Sequence, residues 1–278
     1  MTLKKNLLAR LLILLAFAFT GCATTDGPEL SEEELYKSAS DALKSRNFRE
    51  ATRQLEALEA RYPFGRFAEQ SQLELIYARY ASLDLEGSKA AANRFIRLHP
   101  TSENVDYAYY MRGLAAYNTD GGLAAQWFPI DSSSRDPGEM RAAFADFAQL
   151  VNRYPESPYA ADARQRMLNV RNRLADYELH AARYYIRREA YLAAANRARQ
   201  VVEGYPQTPA AETGLIFMVE LYRKLGMPTH ADDALAVLAA SFPESAAFDK
   251  KMRFKSNLVK TEDRSLAGLF TLDIFNDE

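Results

Sequence analysis

Few side chains in this sequence are of a kind that does covalent chemistry. Cys22 is the only cysteine among 278 residues, so no disulfide can form within the chain, and an odd cysteine in an exported protein needs a reason of its own. It directly follows Thr20-Gly21, at the end of an uncharged apolar run from Leu11 to Phe19. The three histidines, His99, His180 and His230, stand far apart, and no HExxH, CxxC, GxSxG or phosphate-loop pattern occurs. The sequence therefore offers no catalytic set, no metal-ligand set and no cofactor motif. Binding chemistry, by contrast, is plentiful. Sixteen tyrosines pair large apolar faces with hydrogen-bonding tips and few rotatable bonds, which suits them to holding extended peptides.

The setting of Cys22 gives its chemistry. Lys4, Lys5 and Arg10 precede the apolar run, which is shorter than the roughly 20 residues a membrane-spanning helix needs and fits the core of a secretory signal peptide. Small residues just before a lone cysteine resemble the lipobox of bacterial lipoproteins, where cleavage leaves the cysteine as a lipid-bearing N-terminus. Residues 1–21 are read as a signal peptide that is removed, Cys22 as the lipidation site, and residues 22–30 as a flexible tether. Residue 23 is Ala, not Asp. By resemblance to lipoprotein sorting in Gram-negative bacteria, that implies the outer membrane, with the body of the chain facing the periplasm and the lipid as its only membrane contact.

Composition bounds the rest. The formal net charge is −2, and residues 1–21 hold three basic and no acidic residues, so the cleaved chain carries −5. Nucleic acid is disfavoured as a partner. A hydrophobic fraction of 48% with only 12 Gly and 11 Pro, and little strand-like alternation, points to an all-α fold.

What must position the binding residues is a repeat. Five segments end in an aromatic or His before Pro: Tyr62-Pro63, His99-Pro100, Tyr154-Pro155, Tyr205-Pro206 and Phe242-Pro243. Twelve residues before each Pro stands a small residue, Ala51, Ser88, Ala143, Ala194 or Ala231. Eight before stand Leu55, Ala92, Phe147, Ala198 and Leu235, and five before stand Leu58, Phe95, Leu150, Val201 and Leu238. This is the second helix of a tetratricopeptide repeat: the small residue lets two helices approach, the apolar pair packs on the neighbour, and Pro stops the helix. Leu35, Ala39 and Phe48 in the first repeat, and Ala182 and Tyr191 in the fourth, supply the front half of the motif. Ser157-Pro158 and Thr208-Pro209 read as helix N-caps followed by Pro at the first position.

The prolines are spaced 37, 55, 51 and 37 residues apart, so the third and fourth repeats carry extra chain. In the fourth the excess is close to four helical turns, and residues 159–187 lack Gly and Pro, which predicts one long helix of roughly 43 Å. In the third, the excess falls at Asn118 to Gly138, around Gly121-Gly122 and Trp127-Phe128, and reads as a loop. The expected fold is five tetratricopeptide-like hairpins in a right-handed α-solenoid, with repeats one to three over 31–157, repeats four and five over 158–245, and a partly docked tail over 246–278. Its concave face brings Tyr36, Tyr77, Tyr80, Tyr110 and Tyr117 to or near one surface, the usual binding face of such solenoids.

Several stretches are more specific than the repeat. Gln54-Leu55-Glu56-Ala57-Leu58-Glu59 running into Arg61-Tyr62-Pro63-Phe64-Gly65, Arg94-Phe95-Ile96-Arg97-Leu98, Tyr110-Met111-Arg112-Gly113-Leu114 and Arg135-Asp136-Pro137 resemble the BamD family, lipoprotein subunits of the machinery that inserts β-barrel proteins into the outer membrane. The resemblance covers about residues 19–245. It implies a non-catalytic scaffold whose N-terminal repeats engage unfolded outer-membrane proteins and whose C-terminal repeats dock on BamA, within a complex of further subunits. Asn196-Arg197 matches the place where the family contacts BamA, and a guanidinium suits bidentate pairing with a carboxylate. Another envelope repeat lipoprotein, serving the Tol or cell-wall machinery, is the alternative. Seven arginines from Arg164 to Arg188 read as a solvated face pairing locally with Asp162, Asp176 and Glu178. In the tail, Leu266, Leu269, Phe270, Leu272, Ile274 and Phe275 predict a docked segment over 266–275.

Overall fold

The structure, a computed structural model, describes residues 30–121 and 137–259. Among the described residues it is all helical, with ten helices paired into five hairpins: α1 (Glu32–Lys44) with α2 (Phe48–Arg61), α3 (Ala68–Ala81) with α4 (Leu85–Leu98), α5 (Val105–Gly121) with α6 (Gly138–Arg153), α7 (Ala160–Arg187) with α8 (Tyr191–Gly204), and α9 (Ala210–Lys224) with α10 (Pro228–Ser241). Each helix packs mainly on its neighbours in sequence, and first helices also touch across repeats, α3 on α5 and α7 on α9. That is the arrangement of a helical repeat solenoid. No helix among the described residues is long and apolar enough to cross a membrane.

The five anchor positions form the spine of this packing. Ala51, Ser88, Ala143, Ala194 and Ala231 are fully buried, as are Leu58, Phe95, Leu150, Val201 and Leu238. The aromatic before each Pro is the helix C-cap, and its amide closes the last turn on the residue four back: Tyr62 on Leu58, His99 on Phe95, Tyr154 on Leu150, Tyr205 on Val201 and Phe242 on Leu238. The following Pro disfavours helical dihedrals at that cap, and φ there runs from −127° to −135°. Leu235 departs from its counterparts in being only half-buried. It stands in the last hairpin of the described residues.

The described turns, inside the first, second, fourth and fifth hairpins, are equally regular, for a reason the sequence hides. Arg46, Leu83, Glu189 and Gly226 all adopt positive φ, between 57° and 70°. In each, the next amide reaches back to the carbonyl five residues earlier: Asn47 to Ala42, Asp84 to Arg79, Ala190 to Tyr185 and Met227 to Tyr222. This is the Schellman closure, which favours Gly at the left-handed position. Among these four turns only the fifth repeat's supplies one.

Three local expectations change. Asn118 to Gly121 belong to the last turn of α5, and α6 begins at Gly138, so the loop between the helices is shorter than Asn118 to Gly138. Trp127 and Phe128 lie outside the described residues. Helices α7 and α9 start at Ala160 and Ala210, without a side-chain cap. The Ser157 hydroxyl instead accepts from the Tyr159 amide at 3.2 Å, and the Thr208 hydroxyl donates to the Tyr205 carbonyl at 2.8 Å, so both residues close turns ahead of the helix. The long helix is as expected, 28 residues, about 42 Å at 1.5 Å per residue.

The last hairpin is covered by the chain that follows it. Ala247 and Phe248 are buried against Leu215, Ile216 and Leu238, and Phe248 bridges to Phe254 as an isolated antiparallel pair. The Glu220 carboxylate accepts the amides of Leu258 and Val259 at 3.0 and 2.7 Å, and Val259 is buried. A solenoid end exposes apolar surface, and residues 247–259 cover it here. The expected docked segment 266–275 lies outside the described residues, as do Cys22 and the tether preceding Leu30.

Candidate partner-binding surfaces

The five singled-out tyrosines all lie on first helices, α1, α3 and α5, and four of them use the hydroxyl to tie adjoining first helices or their flanks. The Tyr36 ring lies flat on Phe67, centroids 4.1 Å apart, and its hydroxyl donates to Glu74 Oε1 at 3.0 Å. Burial, with the Glu74 carboxylate as acceptor and nearby negative charge, pushes Tyr36 up to about 12. Tyr80 of α3 accepts from the Asn118 amide of α5. Tyr110 stacks on Tyr159, centroids 4.8 Å apart, and donates to Asp162 Oδ2 at 2.7 Å. Tyr117 donates to Asn169 Oδ1 at 2.9 Å. These side chains are struts between repeats as well as surface.

Arg166 of α7 joins this set rather than a solvated face. Its Nε donates to Asp162 Oδ2 at 2.5 Å, and its guanidinium lies 5.3 Å above the Tyr117 ring. Burial works against the Asp162 charge, but hydrogen bonds from Arg166 and Tyr110 hold the carboxyl below its ordinary value.

Tyr77 is the exception among the five. It is 44% exposed and touches Phe48 edge-on at 5.8 Å. It lines a shallow depression of about 300 Å³ with Gln70, Leu73, Glu74, Asn104, Tyr107 and Tyr159. Tyr107 and Tyr159 were missed by sequence reasoning. Tyr107 stands three residues before Tyr110, so helical spacing places both on one side of α5, a signal that was available. Tyr159 follows Pro158 in a turn, where no periodicity points to it. Burial raises both phenols above their ordinary value.

The family-like segment Tyr110 to Leu114 has a packing explanation. A Cβ on Gly113 would come 2.8 Å from Phe147 Cε1, so only glycine lets α5 and α6 close on that ring. Beside it, Arg112 pairs with Asp146 at 2.6 Å and donates to Asn93 Oδ1 at 2.6 Å, both charged side chains mostly enclosed. Burial pushes the Asp146 carboxyl up, with Arg112 opposing the shift.

Arg197 and Glu178 correct the sequence reading most. Glu178, expected on a solvated face, is 1% exposed. Arg197 Nη1 donates to Glu178 Oε2 at 2.8 Å, and Arg141 of α6 stands 3.9 Å from the other oxygen. The Arg197 side chain is 38% exposed, so one edge of the guanidinium serves a buried carboxylate. The hydrogen bond to Glu178, against some burial, holds Arg197 above its already high value. Neighbouring Asn196 is exposed, and its side-chain oxygen accepts from Arg199 at 3.4 Å.

The histidines stay apart: His99 caps α4 and meets Gln72 Oε1 at 3.1 Å, His180 is on α7 and His230 on α10. Among the described residues no three His, Cys, Asp or Glu groups are placed to hold a metal.

Comparison with known proteins agrees with this architecture. Residues 28–248 match the family described as YfiO, outer membrane lipoprotein. The outer membrane protein assembly factor BamD of Vibrio cholerae is 46% identical over 209 residues, 74% of this chain and 87% of the relative. That of Neisseria meningitidis serogroup A is 41% identical over 251 residues, 87% and 93% of the two chains. That of Pasteurella multocida is 36% identical over 89% of this chain and 95% of its own. Among solved structures, a tetratricopeptide repeat protein from Parabacteroides merdae aligns over 78% of this chain and 81% of its own, at 13% identity and a TM-score of 0.36, too distant to carry an argument. On a match that runs through all five hairpins, the chain belongs to the YfiO (BamD) family of outer membrane lipoproteins.

Proposed function

We propose that this chain is a non-catalytic assembly factor for outer-membrane β-barrel proteins, anchored by lipid at Cys22 and facing the periplasm. The observation that carries this reading is the identity to proteins named as such assembly factors, which extends over nearly their whole length. In this reading repeats one to three, 31–157, receive unfolded outer-membrane proteins, and repeats four and five, 158–245, dock on BamA. The exposed ring of Tyr77 beside Tyr107, Tyr159 and the polar Gln70 and Asn104 suits an extended chain with alternating apolar and polar side chains. Exposed Asn196 and the outward edge of Arg197 suit a carboxylate-bearing protein surface.

Photo-crosslinking in native membranes tests both halves together. A crosslinker at residue 77 is expected to trap unfolded outer-membrane proteins, and one at residue 196 to trap BamA. Recovery of Tol or cell-wall components from both positions, with neither expected partner, would overturn the assignment in favour of another envelope scaffold.

A further inference from the structure

The solenoid carries its own control for reading one exposed side chain. Five equivalent turns follow the five second helices, each closed by an amide reaching back to the aromatic C-cap: Gly65 to Tyr62, Ser102 to His99, Ser157 to Tyr154, Thr208 to Tyr205 and Ser245 to Phe242, at 3.0 to 3.2 Å. The residue after the proline is exposed in every one. In four turns it is polar, Thr101, Glu156, Gln207 and Glu244. In the first it is Phe64, 99% exposed. The turn therefore has no folding need for an apolar residue there, and a fully hydrated phenyl ring is unfavourable.

This turn is also held more firmly than its length suggests. Glu32 of α1 reaches beneath it, its Oε1 accepting the Phe67 amide at 2.8 Å, and a methyl group at Gly65 would collide with that carboxylate. The Phe67 ring is fixed against Tyr36, with the Arg66 guanidinium 4.5 Å above it. Phe64 is thus presented on a braced turn.

Its location says what it meets. The Tyr62 hydroxyl donates to the Leu30 carbonyl at 3.2 Å, so the turn adjoins the point where the described chain begins. Leu30 stands eight positions after Cys22, and even a fully extended tether of that length reaches no more than about 30 Å. We infer that the turn bearing Phe64 touches the surface of the membrane that holds the N-terminal lipid, with the ring seated in the interfacial region, where aromatic side chains are favoured. A lipid chain and a braced aromatic would be two signals, which anchor and orient a protein better than one. The inference rests on lipidation at Cys22.

Tryptophan fluorescence in vesicles decides it. The lipidated full-length chain carrying Phe64→Trp and Trp127→Phe, so that one tryptophan reports, is reconstituted into phosphatidylethanolamine–phosphatidylglycerol vesicles, with and without lipids brominated near the top of the acyl chain. The expected result is a blue-shifted emission quenched about twofold or more by the brominated lipid. The equivalent position in the fifth turn, Glu244→Trp in the same background, stays unshifted and unquenched. Flotation and the mass of the N-terminal peptide report the anchor separately. Protein that floats with residue 64 unquenched overturns the contact and leaves the anchor standing. A blue shift that appears only on adding a partner protein makes Phe64 a protein anchor and overturns it too. Protein that neither floats nor carries lipid overturns the anchor, and the contact falls with it.

Discussion

Two ways of tying a solenoid together occupy the two halves of this molecule. Between the first helices from Tyr36 to Asn169, neutral phenols reach carboxylate or amide oxygens at partly exposed positions, alongside the enclosed ion pair of Arg112 with Asp146. Across α6, α7 and α8 the link is a carboxylate sealed from water and met by Arg197, with Arg141 beyond it. A phenol can lose its partner and still hydrate its hydroxyl, so each strut contributes modestly. A buried carboxylate has no such fallback, and removing its cation leaves an uncompensated charge. The phenol struts of the N-terminal half can therefore trade contacts with a ligand at small cost, whereas the Glu178 site holds its shape against change at the very surface proposed to bind BamA.

The strongest way to break this comparison is Arg197→Glu. Sequence alone placed Arg197 at a partner contact, through the family resemblance. In the structure the variant places a second carboxylate beside Glu178, and a loss of about 3–5 kcal/mol is expected, read as a lower urea midpoint of the purified chain. Weakened partner binding by this variant is then not by itself proof of a contact. A midpoint matching the native chain would show that Glu178 finds another cation.

The complementary change should cost less. Glu178→Gln keeps the shape and leaves Arg197, partly exposed, free to hydrate, so a loss of about 1.5–3 kcal/mol is expected, the worth of one hydrogen bond to a charged group. Equal losses for the two variants in urea denaturation would remove the asymmetry on which the comparison stands.

How much of this was legible follows from which signals are local. The second helices were readable because one residue per repeat must be small, two must be apolar and one must precede Pro, and Ala51, Leu55, Leu58 and Tyr62 each satisfy a separate steric demand. The left-handed turns were not, because Leu83 and Glu189 fill a position whose requirement only Gly226 announces. Candidate tyrosines could be placed on first helices by counting, but counting cannot tell a strut from a free face. Tyr110 and Tyr77 differ through Asp162, 52 residues from Tyr110. Glu178 looked like one more charge on an arginine-rich helix until α8 was laid against it.

The alkaline limb probes the buried phenols by titration. An unfolded tyrosine titrates near 10, and Tyr36 in the fold near 12. Between those values the native chain holds a proton that the unfolded chain has lost, so stability present below pH 10 declines as pH rises toward 12. Tyr80, Tyr107, Tyr110, Tyr159 and Tyr205, also raised, add in the same direction. The Arg197 pair adds nothing, since the guanidinium stays charged throughout. Urea midpoints measured from pH 9 to 11 should fall, and should fall less in Tyr36→Phe. An identical slope in that variant would assign the alkaline loss elsewhere.

The smallest effect on stability is expected where the effect on binding is largest. Tyr77 is the most exposed of the five tyrosines and makes one edge contact, with Phe48. Truncation to Ala removes a ring that is 44% exposed, so the loss should stay within about 1 kcal/mol. Tyr80, tied to Asn118, and Tyr110, tied to Asp162 and stacked on Tyr159, should each cost more, because their removal opens a junction between repeats. The two classes should then part in function. Tyr77→Ala is expected to lower crosslinking of unfolded outer-membrane proteins several-fold while its urea midpoint and BamA recovery stay close to native. Tyr110→Ala should lose stability first and crosslinking only with it. If Tyr77→Ala unfolds as readily as Tyr110→Ala, its ring belongs to the scaffold, and the N-terminal half has no residue reserved for its ligand.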